Sequence, residues 1–522
     1  MILPTPDRLI AIAETLRILI AAATTLLLFG GLALARLRRD ALGRRTRDGL
    51  LVSLALLTIV AWWFPRQGGF GVWFHPFDAF HYYIGGKYFP ELGYTRIYEC
   101  SVRADVEAGF GTRVSQSTIR DLETNRLENA GPLVTEPDRC KKHFSEARWR
   151  AFSGDIAWFR QGLPFESWLK IRTDHGYNAP PAWGLLGTPL TNTGPASIGQ
   201  LRWLTMIDPL LLTMMFGAVA WAFGWRSLCI ALIFWGTNQP ARWEWVGGSI
   251  LRYDWLALSV AGICCLRRER PAAAGVLLAY ATCLRIFPGL IAASLALTAL
   301  IQMALERSFR PTESQRRFGL AFAGSALILV GLSSAIAGGV RSWGDFVQNT
   351  RTHFETASDN DVGLRALLSY DYDRRIAVAT DRTKTDLYEE WRGDRNETFA
   401  GRRLVYALIV VGFAVLLAVV ASRRPQQPDW VIAVLGVALI PVVLKLSSYY
   451  YAILLVFALL WTRWPSIGAA LMLLSASSWL LRCRGSQCDG VFAWISFAIL
   501  MFLAFATLRV IRDSPRASRP AL

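Results

Sequence analysis

Apolar runs of about 15–20 residues recur along nearly the whole chain, separated mostly by short polar connections. A helix of that length crosses a bilayer, and it satisfies its own backbone where the surroundings offer no hydrogen bonds. The pattern predicts spans over about 18–35, 50–64, 203–223, 249–266, 287–304, 318–340, 403–421, 430–445, 449–462, 465–481 and 490–508. Two shorter runs, 227–237 and 272–284, are also expected to be helical. Their length suits helices that are broken or buried near a site. The expected fold class is an all-α polytopic membrane protein of about 13 transmembrane helices.

Two intervals break the rhythm. Residues 65–200 form a long, nearly charge-balanced segment with scattered Tyr, Trp, Gly and Pro, and 341–402 form a second, rich in Asp, Arg and Asn. The chain thus divides into N-terminal spans with a basic loop (1–64), a large first loop (65–200), a central bundle (201–340), a second loop (341–402), a C-terminal bundle (403–508) and a basic tail (509–522).

The arginines set the orientation. Arg36, Arg38, Arg39, Arg44, Arg45 and Arg47 follow the first span, and Arg267, Arg268 and Arg270 follow 249–266. Arg307, Arg310, Arg316 and Arg317 precede 318–340, Arg423 and Arg424 follow 403–421, and Arg509, Arg512, Arg516 and Arg519 close the chain. With both short runs counted as spans, all these clusters fall on one side, expected to be the cytoplasm. The N-terminus is then outside, the C-terminus inside, and both long loops are extracytoplasmic in a cell (inner) membrane. Ala33-Leu34-Ala35 resembles a signal-peptidase site, but the basic cluster just after it argues that the first span is retained.

Composition supports one membrane unit over several soluble domains, since 53% of residues are hydrophobic and only 18% charged. A net charge of +17 would ordinarily suggest nucleic acid; here the cations sit in short loops, so no nucleic-acid partner is expected. The GxxxxGK[ST] phosphate loop is absent, which leaves the substrate or a gradient as the source of energy. Of eight cysteines, Cys229, Cys264, Cys265 and Cys283 fall in spans. Cys100 and Cys140 lie in the first outer loop and Cys483 and Cys488 in the last, two pairs placed for disulfides in an oxidising compartment. CxxC and HExxH spacings are missing and only five histidines occur, so no spacing demands a metal.

Candidate chemistry concentrates in five stretches. In His75-Pro76-Phe77-Asp78-Ala79-Phe80-His81-Tyr82-Tyr83, followed by Lys87, Asp78 reads equally as a helix N-cap and as a general base at the membrane surface. In Asp174-His175-Gly176-Tyr177-Asn178-Ala179-Pro180-Pro181, the prolines fix a turn, and Tyr177 and Asn178 are placed to face a polar ligand. In Glu244-Trp245-Val246-Gly247-Gly248-Ser249-Ile250-Leu251-Arg252-Tyr253-Asp254, ionisable groups at membrane depth cost roughly 2.5–3.5 kcal/mol each. They therefore mark a site, unless Arg252 and Asp254 neutralise each other. Cys283-Leu284-Arg285-Ile286-Phe287-Pro288 and Leu444-Lys445-Leu446-Ser447-Ser448-Tyr449-Tyr450-Tyr451 each place a cation at the outer end of a span. Snorkelling accounts for either cation alone. Four outer cations together, Arg252, Arg285, Lys445 and Lys87, suit an anionic headgroup.

The order of these motifs resembles the GT-C superfamily of membrane glycosyltransferases, most closely glycosyltransferase family 87. The resemblance covers about residues 70–460 and rests on Asp78 in Phe77-Asp78-Ala79-Phe80-His81-Tyr82-Tyr83, on Tyr177-Asn178-Ala179-Pro180-Pro181, on Leu284-Arg285-Ile286-Phe287-Pro288, and on Asp359-Asn360-Asp361-Val362-Gly363-Leu364. The chain departs from the family at Gly247-Gly248, where Gly-Gln is usual, and at Tyr449-Tyr450, where His-Tyr is usual; it also has a longer first loop and an extra N-terminal span. The resemblance implies a GT-C-like bundle and a polyprenyl-phosphate sugar donor. It implies a glycan, glycolipid or protein acceptor and inverting transfer on the extracytoplasmic face. Asp78 would be the catalytic base. Arg285, Lys445, Arg252 and Lys87 would bind the donor phosphate. His81, Tyr82, Tyr177, Asn178, Glu244, Asp254, Asn360 and Tyr449 would contact substrate. No cofactor is required, although GT-C relatives leave room for a divalent metal. The competing expectations are a transporter or flippase for an anionic lipid-linked substrate, for which no inverted repeat is found, and an inactive scaffold in envelope assembly.

Overall fold

The structure is a computed structural model that describes residues 6–37, 43–63, 75–135, 138–379, 386–422, 427–481 and 488–513, without the side chains of residues 6–10, Glu244 and Leu387. Arg38, Arg39, Arg423, Arg424, Arg516, Arg519, Cys483 and the Glu244 side chain, all singled out above, lie outside the described residues.

The described residues are all-α apart from two small antiparallel ladders, Thr118–Asp121 with Arg126–Asn129 and Asp361–Val362 with Leu446–Ser447. Among the described residues five helices are long and apolar enough to cross a membrane: Ala11–Arg36, Ile198–Phe223, Glu313–Ile336, Arg403–Ser422 and Asp489–Arg512. Shorter apolar helices accompany them at Pro271–Leu284, Gly289–Leu305, Asp429–Val443, Ser448–Thr462 and Pro465–Leu480. Their outward faces carry exposed apolar side chains such as Leu19, Leu26, Leu210, Leu300, Leu327, Leu408 and Val415. Such surfaces are stable against lipid and not against water, so the chain is a membrane protein.

Small residues set the closest helix approaches. A Cβ on Gly275 would stand 2.5 Å from the carbonyl oxygen of Phe318, so Pro271–Leu284 and Glu313–Ile336 pack backbone to backbone only because that position is glycine. Three apolar stretches depart from simple rods. The expected span 249–266 becomes helical only at Asp254; the residues before it form two short 3₁₀ turns and a loop in which Ile250 and Leu251 adopt φ of 65° and 55°. Left-handed backbone in such residues costs of order 1–3 kcal/mol each and persists only where its surroundings over-determine it. The run 430–445 breaks between Asp429–Gly436 and Leu439–Val443, and Ser448–Thr462 is wound as a 3₁₀ helix.

The first polar segment folds on its own buried ionic core. Asp105 accepts hydrogen bonds from Arg160 at 2.5 Å, from Trp168 at 2.8 Å and from Arg172, whose Nε donates to Ser101 Oγ at 3.0 Å. Cys100, on the helix bearing Asp105, forms a disulfide with Cys140 at a Cα separation of 5.4 Å, as its placement predicted. Cys488 is disulfide-bonded as well.

Closing a loop of 40 residues with Cys100–Cys140 contributes roughly 2–5 kcal/mol to a small domain. The Cys140→Ser variant is therefore expected to lower the protease resistance of residues 75–200 and to free one alkylatable thiol at Cys100. Unchanged protease resistance would contradict this assignment.

Candidate functional site

The helix Pro76–Lys87 begins at His75, whose Nδ1 accepts the backbone N–H of Asp78 at 3.4 Å. The capping role thus belongs to His75, which frees the Asp78 carboxylate. Asp78 Oδ2 lies 3.0 Å from Arg252 Nε, but the N–H is not aligned on it, so among the described residues this oxygen has no hydrogen-bond donor. Arg252 is presented by the left-handed turn at Ile250 and Leu251. Asp208 pins that turn, accepting the backbone N–H groups of Arg252 at 2.9 Å and Tyr253 at 3.3 Å. The same turn region is tied to the start of the Asp78 helix, because His75 N donates to Gly247 O at 3.2 Å and Ser249 Oγ to His75 O at 3.3 Å.

Arg285 follows the helix Pro271–Leu284 in extended conformation. Its Nη1 donates to Leu284 O at 2.9 Å and its Nη2 to the Tyr82 phenol oxygen at 2.7 Å. Only 8% of Arg285 is exposed, and among the described residues no carboxylate lies within 4.0 Å of it. Arg252 donates to the same phenol oxygen, and that hydroxyl donates in turn to Asn178 Oδ1 at 2.9 Å. Two guanidinium groups therefore converge on one neutral oxygen. The Arg252 guanidinium also stands 4.3 Å from the Tyr82 ring centre and 5.8 Å from that of Tyr449.

Aromatic rings wall this cluster. Tyr177 lies 5.8 Å and Trp183 5.2 Å from the Tyr82 ring. A Cβ on Gly85 would stand 2.5 Å from the Tyr177 ring and one on Gly86 2.7 Å from that of Trp183, so the Gly85-Gly86 pair is what lets these rings close on the helix. On the other side Tyr450, Phe287 and Trp255 form an edge-to-face group, with Tyr450 4.6 Å from Tyr449 and the Arg285 guanidinium 5.9 Å from the Tyr450 ring.

Asp78, Tyr82, Tyr177, Asn178, Arg252, Arg285 and Tyr449 are thus brought together. Asp254 is buried beside them; its Oδ1 accepts the Trp255 N–H at 2.7 Å, and it forms no ion pair with Arg252, which takes Asp78 instead. Lys87 and Lys445 do not join the cluster. Lys87 pairs with Asp155 at 2.8 Å and donates to Gly194 O at 2.7 Å. Lys445 pairs with Asp361 at 3.2 Å and donates to Thr356 O. Asn360 serves the same local fold: its carbonyl accepts from Ser448 N at 3.0 Å and its side chain from Ser358 Oγ at 2.6 Å. Each lysine is spent on a nearby carboxylate, which sequence spacing does not reveal because Asp155 and Asp361 belong to other elements. Asp208, Tyr450, Phe287 and Trp255 were not anticipated as site residues. The signals for two of them were an Asp within an apolar run and the Tyr449-Tyr450-Tyr451 run.

His81 turns the other way. Its Nε2 shares a hydrogen with Tyr98 Oη at 2.7 Å and its Nδ1 lies 3.7 Å from Asp174 Oδ2. His175 and His353 stack edge to face nearby at 5.8 Å, and His175 Nδ1 faces Asn125 Oδ1 at 3.1 Å; Asn125 donates to Thr356. This contact joins the two polar segments. Among the described residues no group of three or more His, Cys, Asp or Glu side chains is arranged to hold a metal ion. No family model, curated protein or solved structure matches the chain.

Burial, with Arg120 adding to it, pushes His175 down to about 3, and burial pushes His353 down to about 4 against the Asp174 charge. Burial likewise lowers His81, opposed by Asp174. Unfolded histidine titrates near 6.5, so on acidification the open chain takes up protons first. The stability of this junction is then complete above about pH 6.5 and is lost as pH falls toward 3–4, by at most about 1.4 kcal/mol per pH unit for each histidine. Proteolysis at the 341–402 segment should accelerate from pH 7 to pH 4.5, and His353→Gln should flatten that dependence. A rate independent of pH in the parent protein would contradict this origin.

Proposed function

We propose that the chain is a membrane glycosyltransferase of GT-C type that moves a sugar from a polyprenyl-phosphate donor to an acceptor hydroxyl on the extracytoplasmic face. The observation that carries this reading is Arg285: a buried guanidinium with no carboxylate within 4.0 Å among the described residues, facing Arg252 across the Tyr82 hydroxyl. An isolated charge is expensive to hold out of water, and a phosphate would supply the missing counter-charge with charge-assisted hydrogen bonds. Asp78 belongs to the same cluster yet does not touch Arg285; Arg252 and Tyr82 stand between them. An inverting displacement calls for that separation, because the base and the leaving group act on opposite sides of the anomeric carbon.

In the proposed step Asp78 takes the proton of the acceptor hydroxyl. The acceptor oxygen attacks the anomeric carbon and forms the new glycosidic bond. The bond from that carbon to the phosphate oxygen breaks, and polyprenyl phosphate leaves with its electron pair and negative charge, held by Arg285 and Arg252. Tyr177, Asn178 and Tyr449 would border the sugar. The proposal includes a GT-C-like bundle of about 13 spans in the inner membrane, with the N-terminus outside and both long polar segments on the side of the site.

Incubation of the purified protein with polyprenyl-phosphate sugars should give sugar transfer. Asp78→Asn should lower transfer by at least ~100-fold, the lower end of general-base contributions, while donor binding persists. Arg285→Ala should weaken donor binding by roughly 10- to 150-fold, the worth of about 1.5–3 kcal/mol for a hydrogen bond to a charged group. Near-full activity in Asp78→Asn would remove Asp78 as the base. Absence of transfer together with movement of the lipid-linked substrate across vesicles would replace the reading with transport.

A further inference from the structure

The helix Glu313–Ile336 packs along Pro271–Leu284, where Gly275 allows it close, but it meets Gly289–Leu305 only sparsely. The wedge left between them is a laterally open apolar cavity of about 510 Å³, bordered by Gly289, Ala292, Ala296, Ala299, Gly319 and Phe322. It follows one face of a helix 17 residues long, which rises about 25 Å. Gly289, Ala292, Ala293, Ala296, Ala299 and Gly319 supply the small residues of this slot, and the rest of its lining is mostly Leu and Phe.

One end of the slot is polar. There Gln315 donates to Gln302 at 2.7 Å and Ser314 to Asp429 at 3.2 Å. The connection beside it carries Arg307, Phe309 and Arg310. Phe309 is 98% exposed, and among the described residues neither arginine has a carboxylate within 4.0 Å. A fully exposed aromatic between two unpaired cations, next to an apolar slot, fits the headgroup level of a bilayer.

We infer that this slot is a binding site for an anionic phospholipid, with one acyl chain lying between Gly289–Leu305 and Glu313–Ile336 and the headgroup phosphate against Arg307 and Arg310. The inference does not rest on the transfer reading, and Arg307 and Arg310 are not part of the Arg285 cluster. Basic rims on apolar crevices between spans attract anionic headgroups, each cation contributing through its charge near the surface.

The test uses the full chain in nanodiscs of equal phosphatidylglycerol and phosphatidylcholine, with native mass spectrometry of the lipids that stay bound on release. The parent protein should retain phosphatidylglycerol in preference. Arg307→Ala with Arg310→Ala should reduce that preference by about 30-fold at low ionic strength, two cations at about 1 kcal/mol each. Gly319→Leu should reduce retention of both lipids by roughly 10-fold, because it excludes about two methylenes of chain. A Cβ on Gly319 meets nothing within 4 Å, so this variant should fold; Ala296→Leu, on the facing helix, gives the same readout if it does not. Arg285→Ala should change neither. Equal retention of the two lipids by the parent, undiminished retention in both slot-filling variants, or recovery of an isoprenyl phosphate in place of phospholipid would overturn the inference.

Discussion

Two buried guanidinium groups share the phenol oxygen of Tyr82, and one carboxylate, Asp78, faces only one of them. Removing a guanidinium from water costs several kcal/mol after relaxation, so such a cluster exists only where the surrounding structure holds it. The supports are visible. Asp208 grips the turn that presents Arg252, the start of the Asp78 helix is bonded to Gly247 and Ser249, and two glycines let Tyr177 and Trp183 close over Tyr82. The left-handed Ile250 and Leu251 make sense in this setting, since their strain is the cost of aiming Arg252 inward and not along a regular helix.

The remaining charges are arranged to leave that cluster alone. Lys87 is neutralised by Asp155, Lys445 by Asp361, and Arg160 and Arg172 by Asp105. Each of these cations touches a carboxylate, shared between two of them at Asp105 and, with Arg395, at Asp361, and loss of such a buried partner is strongly destabilising. Arg285 is different because it is buried and, among the described residues, has no carboxylate within 4.0 Å. The difference between cations that touch a carboxylate in the supporting fold and Arg285, which touches none among the described residues, marks the centre of the cluster.

Polar segments 65–200 and 341–402 act together here. The contacts of His175 with His353 and of Asn125 with Thr356 join them, and the Asp361–Val362 ladder with Leu446–Ser447 fastens the second segment to the turn before Tyr449. The aromatic wall formed by Tyr449 and Tyr450 therefore depends on Asp361 and Val362, far earlier in the chain, while the Tyr82 contacts bridge 170 and 203 residues.

Hydropathy is a local property, so the apolar helices, the two polar segments and the placement of Cys100 and Cys140 could be read directly from the order of residues. The individual chemistry of Asp78, Tyr82, Asn178, Arg252 and Arg285 was legible for the same reason: a charged or hydrogen-bonding group at the end of an apolar run stands out. Their partnerships were not. Arg252 had a nearer carboxylate in sequence, Asp254, yet it faces Asp78; Lys87 and Lys445 looked as available as Arg285 until Asp155 and Asp361 were brought against them. The break before Asp254 and the slot beside Gly319 were equally hidden, since both arise from how neighbouring helices fit. Which charges are cancelled in a low-dielectric interior depends on distances of a few ångströms between remote segments, and only packing in three dimensions sets those distances.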